Sequence, residues 1–263
     1  MDAKYLSLCR DWFRDYTNRF RSLDPEIEKN IDLKIRHTYR VCDNVSRIAK
    51  SLGMERCDLV MAEVLALFHD IGRFEQLKVF GSFNDRITVD HAKLGLKVLN
   101  NSGVLAYLPR NERRLLCRSI WLHNKYEIPE TERGDAILFS RLIRDADKLD
   151  ILGVINEHFE CRDLHPNSAL DFGMKDEPEF SMEAVSEILQ GKMVRIPVLK
   201  TMNDMLLMYL SWVFDIYFPT TLSCIEERGY LTRLMSNLPS DPEIFKVRNF
   251  VEEYLAGRKH IYI

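Results

Sequence analysis

Apolar residues recur at helical spacing through most of the chain. In one long stretch they fall mainly at intervals of three and four residues: Ile27, Ile31, Ile35, Val41, Val45, Ile48 and Leu52. The sequence Asp24-Pro25-Glu26 before this stretch is typical of a helix start, and Gly53 after it is typical of a helix end. No segment alternates apolar and polar residues over a useful length, so the pattern predicts an all-α fold.

The same spacing predicts further helices. They cover about residues 58–71, 91–99, 111–123, 135–152, 181–190, 199–228 and 242–256. Residues 73–90 and 161–178 are rich in Gly, Asn, Asp and Ser and are predicted to be loops. We expect residues 1–263 to form a single domain, with a core over about 25–155. A C-terminal helical extension over about 180–263 is expected to pack on that core.

Composition narrows the class of protein. Apolar residues make up 46% of the 263 residues and charged residues 29%, which is typical of a globular protein, and a net charge of -3 does not favour nucleic acid as a partner. Charged residues interrupt the first twenty positions, and residues 205–218 are too short to span a bilayer. We therefore expect a cytoplasmic protein with no membrane partner. Its six scattered cysteines are expected to be free thiols.

The histidines are the first sign of chemistry. Four of the seven lie on or at the end of successive predicted helices: His37, His69, His91 and His123. Asp70 follows His69 directly, in the last turn of a helix that is predicted to end at Gly72. Both side chains can therefore turn toward one point. Imidazole and carboxylate ligands together suit a divalent transition metal. The sequence therefore predicts a metal site around this pair.

Three motifs resemble a known family. They are His37 in an amphipathic helix, the apolar segment Leu65–Arg73 that contains His69-Asp70-Ile71-Gly72, and the segment Arg144–Asp150 that contains Asp147. In this order, over about residues 31–155, they resemble the HD superfamily of metal-dependent phosphohydrolases. The resemblance implies an HD-domain helical bundle, and it implies four ligands for one ion: His37, His69, Asp70 and Asp147.

Two further histidines extend the resemblance. In family members with an expanded ligand set, two histidines between the His-Asp pair and the last Asp hold a second ion, and the Asp of the pair bridges both ions. His91 and His123 stand in these positions, so the second ion would be held by Asp70, His91 and His123. The expected cofactor is a pair of divalent ions: Mn, Fe, Ni, Co, Zn or Mg. The alternative is a single ion, with His91 and His123 binding the phosphate of the substrate.

The function implied by the resemblance is a phosphohydrolase with a small-molecule substrate. It would be a phosphomonoesterase or phosphodiesterase acting on a phosphate ester or nucleotide, with a metal-activated water attacking phosphorus. Asp70, Arg73 and Lys148 are the expected catalytic residues. Arg73, Lys125 and Lys148 are expected to neutralise the phosphate, and Gln76 and Asn124 to orient the substrate. The three other histidines are expected to lie outside the site: His158, His165 and His260.

Two other functions fit the same ligands. Some HD relatives hold a di-iron centre and use oxygen to cleave a C–C or C–P bond, and a catalytically silent nucleotide sensor would also retain the fold. One branch of the family is less consistent with the sequence. The Gly-Tyr-Pro motif of the cyclic-di-GMP phosphodiesterases is absent after Asp70, where the chain reads Ile-Gly-Arg-Phe-Glu-Gln.

Overall fold

The computed structural model describes residues 1–162, 164 and 167–261, without the side chains of 168 and 259–261. Its regular structure within these residues is helical: α1 (Ala3–Asn18), α2 (Pro25–Ser51), α3 (Arg56–Phe68), α4 (Gly72–Phe80), α5 (His91–Ser102), α6 (Arg110–His123), α7 (Asp135–Cys161), α8 (Ser168–Asp171), α9 (Met182–Leu189), α10 (Met202–Ser211), α11 (Pro219–Glu227), α12 (Tyr230–Ser236) and α13 (Pro242–Ile261). The all-α prediction is confirmed. In the part of the chain that is described, no helix is long and apolar enough to cross a membrane.

The chain divides into two compact units, Met1–Asp150 and Ile151–Ile263. In the first unit α2 packs against α3, α3 also packs against α1 and α6, and α5 packs against α4 and α6. The start of α2 follows the sequence pattern: the Asp24 side chain accepts hydrogen bonds from the first backbone N–H groups, and Pro25 stands in the first turn. Buried apolar residues of α2 and α3 form the centre of this unit.

One predicted loop is partly wrong. Residues 73–90 were expected to be irregular, but α4 occupies Gly72–Phe80 and only residues 81–90 form the loop. The helix forms because Phe74 and Leu77, three residues apart, are both buried on one face. Gly81 ends it with a positive φ of 66°. A helix of nine residues offers too few turns for its period to be read in the sequence.

In the second unit α9 packs against α10 and α13. The fully buried carboxylate of Asp204 caps α10 and also accepts hydrogen bonds from the backbone N–H and hydroxyl of Ser181. The predicted long helix over 199–228 is wrong, because α10 ends at Ser211 and a 3₁₀ turn follows. Pro219 then begins α11, since a proline lacks the N–H that a continuing helix would need.

Candidate metal centre

The first unit brings together all six residues that the sequence suggested as metal ligands. His37 lies on α2, His69 and Asp70 lie between α3 and α4, His91 begins α5, His123 ends α6 and Asp147 lies on α7. The four histidines and Asp70 are buried, and the Asp147 side chain is 17% exposed. Residues more than 100 positions apart in the chain therefore meet in one buried polar cluster.

Asp70 stands between two groups of histidines. Its Oδ2 atom lies 3.5 Å from Nε2 of His37 and 3.7 Å from Nε2 of His69. Its Oδ1 atom lies 3.2 Å from Nε2 of His91 and 3.7 Å from Nε2 of His123. Each carboxylate oxygen thus faces its own histidine pair. We call His37 and His69 the first histidine group, and His91 and His123 the second.

The spacing inside each group suits a metal ion. Two ligand atoms that are each about 2.1 Å from one ion lie about 3.0 to 3.4 Å apart in octahedral or tetrahedral geometry. In the first group Nε2 of His37 lies 3.3 Å from Nε2 of His69 and 3.2 Å from Oδ1 of Asp147. In the second group the Nε2 atoms of His91 and His123 are 3.0 Å apart. Oδ1 of Asp147 is buried and makes no hydrogen bond of regular geometry among the described residues, which leaves it available to an ion.

Hydrogen bonds on the far side of each ring orient the histidines. Nδ1 of His69 lies 2.7 Å from the carbonyl oxygen of Ala66, and Nδ1 of His123 lies 2.6 Å from that of Ile120. Because a carbonyl only accepts, Nδ1 donates in both rings, and a neutral ring then turns the lone pair of Nε2 toward Asp70. Ligand atoms that converge at these short distances are stabilised by a proton or a metal ion between them.

The other two rings donate to carboxylates. Nδ1 of His37 donates to Asp150 at 2.7 Å, and Nδ1 of His91 donates to Asp85 at 2.6 Å. Asp150 also accepts from Nε of Arg40 at 2.5 Å. The sequence interpretation missed both carboxylates as positioning groups. Asp150 could have been found, because it lies three residues after Asp147 on one helix and therefore on the same face.

The electrostatics of the cluster favour ligand protonation states. Burial alone would raise the pKa of Asp70, but Lys34 and His69 outweigh it and hold that pKa well below its usual range. Burial lowers the pKa of His123 to about 4, so its ring is neutral near pH 7. A charged carboxylate and a neutral imidazole are the forms that bind a metal.

The first group also attracts positive charge. Burial and Lys34 would lower the pKa of His37, but Asp147, Asp150 and Asp70 raise it to about 10. Without a metal, His37 is therefore protonated near neutral pH. A divalent ion would take the place of that proton.

A close contact between α4 and α5 brings Asp70 near the second histidine group. A β-carbon on Gly72 would lie 2.2 Å from the carbonyl oxygen of His91 and 2.5 Å from the backbone nitrogen of Gly95. Only glycine lets the start of α4 touch α5 in this way. Asp70, just before α4, is thereby brought within reach of His91.

Arg73 and Gln76, both predicted to bind substrate, contact the loop over 81–90. Arg73 Nη1 donates to Gln76 Oε1 at 2.8 Å, to the Phe83 carbonyl at 2.6 Å and to Asp85 at 2.7 Å. Gln76 is fully buried, and its amide donates to Asp85 at 2.8 Å and to Thr88 at 2.7 Å. Arg73 also faces Asp70, with Nε 3.5 Å from Oδ1. Arg73 and Gln76 together hold this loop by hydrogen bonds beside the second histidine group.

Asn124 and Lys125, the other predicted substrate contacts at the end of α6, both reach Asp90. The Asn124 amide donates to Oδ1 of Asp90 at 3.0 Å, and Nζ of Lys125 donates to Oδ2 at 2.5 Å. Lys125 also lies over the ring of Trp121, 4.1 Å from its centre. Asp90 precedes His91, so both residues contact the segment that carries a ligand.

Two residues of the α7 motif are buried. Lys148, predicted to be catalytic, is 8% exposed and directly follows Asp147. Arg144 donates to the backbone carbonyls that end α6: Leu122, His123, Lys125 and Tyr126. Arg144 therefore fixes the helix end that carries His123.

The remaining histidines were expected outside the site. His158 belongs to the second unit, where its Nε2 lies 2.7 Å from Asp171. His165 and the side chain of His260 lie outside the described residues. A residue that the sequence interpretation missed is Lys34, whose Nζ lies 2.7 Å from Oδ2 of Asp70.

Comparison with known proteins identifies the domain. The family model of the HD domain matches residues 35–152, a segment that includes all six residues of the cluster. Residues 35–152 therefore match the HD domain, as the sequence motifs predicted, and the His/Asp cluster in this segment fits a metal site of the HD type. Searches of curated proteins and of solved structures give no significant match.

Proposed function

We propose that this protein is a metal-dependent phosphohydrolase that acts on a small phosphate ester or nucleotide, as a phosphomonoesterase or phosphodiesterase. The observation that supports this most is the place of Asp70, whose two oxygens each face a separate pair of histidine Nε2 atoms. A carboxylate so placed can bridge two ions, and paired ions suit the displacement of an oxygen at phosphorus.

The ligand atoms of the site limit which metal ions it could bind. Imidazole nitrogens and carboxylate oxygens suit Mn, Fe, Co, Ni or Zn, with Mg as a further candidate. His37, His69, Asp70 and Asp147 would hold the first ion, and Asp70, His91 and His123 the second. The bound ions would supply Lewis acidity and an activated water.

The protein itself contributes positive charge and rigid positioning. Arg73 is fixed by three acceptors and points Nε toward Asp70, so it can bind a phosphate oxygen with little further loss of freedom. Lys148, beside Asp147, is assigned the same role on the α7 side. Lys125 and Asn124 position the substrate from the end of α6, and Gln76 does so through the loop that it holds.

The test begins with metal analysis of the purified full chain. We expect bound transition metal, loss of activity toward a panel of phosphomonoesters, phosphodiesters and nucleotides after chelation, and recovery with Mn or Ni. Asp70→Ala should abolish metal binding and turnover together. Asp11→Ala, which removes an exposed carboxylate on α1, is the matched control and should change neither. Full activity in Asp70→Ala would overturn the proposal.

The same preparation separates the alternatives. Tightly held iron with the EPR signal of a mixed-valence pair, and oxygen-dependent cleavage of a C–C or C–P bond, would replace the hydrolase by a di-iron oxygenase. Tight binding of a nucleotide without turnover in the metal-loaded protein would indicate a silent sensor.

A further inference from the structure

Lys34 places a positive charge beside the first histidine group. It lies three residues before His37 on α2, so both side chains are on one face of that helix. Its Nζ atom donates to Oδ2 of Asp70 at 2.7 Å, and the side chain is 15% exposed. Oδ2 is also the oxygen that faces Nε2 of His37 and of His69.

This contact competes with metal binding. An ion held by His37, His69 and Asp70 would use the same oxygen and would repel the ammonium group of Lys34. Among the described residues, Asp70 is the hydrogen-bond acceptor found for that ammonium group. The four-carbon stem of a lysine has freely rotating bonds, so the group can move away when the ion arrives.

Arg73 is the fixed counterpart of Lys34. The charged groups of both residues lie against the ring of Phe83, at 5.4 Å and 6.0 Å from its centre, and both also lie beside Asp70. Arg73 is held by three acceptors, whereas Lys34 is held through Asp70. Arg73 is thus anchored independently of Asp70, whereas Lys34 would lose its acceptor if an ion bound Oδ2 of Asp70.

We propose that Lys34 is a phosphate-binding residue that the metal-free protein keeps against Asp70 and that an incoming ion releases to the substrate. Its ammonium then binds an oxygen of the phosphate beside Arg73. The added positive charge favours a dianionic phosphate monoester over a monoanionic diester. This inference rests on the proposed function for its choice of phosphate as the ligand.

The first measurement is a calorimetric titration of metal-free protein with Mn²⁺. Lys34→Met keeps the length of the side chain and removes its charge, so the competing contact is lost. We expect Mn²⁺ to bind this variant at least about tenfold more tightly, because the ion no longer has to break a charge-assisted hydrogen bond to Asp70. Lys50→Met removes the same charge from the exposed end of α2 and is the matched control, with unchanged affinity.

The second measurement is the affinity of Mn²⁺-loaded protein for inorganic phosphate, which needs no turnover. We expect Lys34→Met to weaken phosphate binding about tenfold or more, Lys34→Arg to retain most of it, and Lys50→Met to match the wild type. Circular dichroism of each variant verifies the helical fold. The retained charge in Lys34→Arg keeps the comparison decisive if Lys34→Met is unstable.

The outcomes separate this inference from the proposed function. Tighter Mn²⁺ binding with unchanged phosphate affinity in Lys34→Met would overturn the inference, as would a wild-type Mn²⁺ form that does not bind phosphate. Phosphate binding that depends on Lys34, in a protein that hydrolyses no phosphate ester, would support the inference while the proposed function fails.

Discussion

The carbonyl oxygen of His91 lies 2.2 Å from the point where a β-carbon on Gly72 would stand. No real β-carbon tolerates this distance, so the first turn of α4 touches the backbone of α5 only because residue 72 is glycine. Asp70 precedes this contact and His91 belongs to it. The reach of the carboxylate to the second histidine group therefore depends on a glycine that has no polar side chain of its own.

Gly72→Ala tests this contact. The added methyl group must push α4 away from α5, so we expect the free energy of unfolding of the metal-free protein to fall by about 1–3 kcal/mol. Urea denaturation followed by circular dichroism measures it. Gly257→Ala on α13 is the control, because nothing lies within 4 Å of its added β-carbon. Removing a helical glycine there should stabilise by about 0.5–1 kcal/mol. Equal effects of the two substitutions would contradict the packing argument.

Asp85 and Asp150 should act on different ions. Asp85 accepts from Nδ1 of His91, and Asp150 accepts from Nδ1 of His37. An asparagine in either place removes the negative charge that fixes the ring, and such losses lower metal affinity about 10- to 100-fold. We expect Asp150→Asn to weaken the ion of the first group and Asp85→Asn that of the second. Metal titration with analysis of bound metal measures both.

Each of these variants serves as the control for the other. Both substitutions remove one negative charge from the cluster, so a general electrostatic effect would weaken both ions alike. If each variant loses affinity for a different ion, the result supports two separate metal positions. An identical loss in both variants would contradict the assignment of one carboxylate to each ion.

The start of each long helix with a visible period could be predicted from the sequence, although α7 continues to Cys161, beyond its predicted end at about 152. The apolar positions of α2 gave its extent to within two residues, since Asp24 and Gly53 also mark its ends. The short α4 could not be found in this way, nor the break between α10 and α11. There the packing of a few residues, and Pro219, override the period of the surrounding sequence.

The residues of the candidate site also differ in whether the sequence could predict them. His69 and Asp70 are adjacent in the chain, and His37 and Asp147 stand in recognisable motifs, so the resemblance located them. Asp85 and Lys34 come to the site through tertiary packing. The first lies in a loop between α4 and α5, and the second carries no motif besides its place one turn before His37.

The six cysteines should differ sharply in reactivity. All are free thiols, as the sequence predicted, but only Cys57 and Cys161 are exposed. Burial raises the pKa of Cys9 and of Cys42 to about 12, so neither forms the reactive thiolate near neutral pH. We expect two fast modifications by a thiol reagent in the native protein, located by peptide mass spectrometry. Fast labelling of Cys9 would contradict the buried packing of α1.

Arg144 should be irreplaceable by lysine. Its guanidinium spreads donors over the backbone carbonyls at the end of α6, which include that of His123. A lysine has one charged point and cannot reach them together, so Arg144→Lys should leave buried carbonyls without donors and cost about 1–3 kcal/mol of unfolding free energy. It should also weaken the metal at the second group, because His123 loses its support. Arg113→Lys, exposed on α6, is the control for thermal unfolding and Mn²⁺ titration. If Arg144→Lys matched that control in both, Arg144 would not position His123.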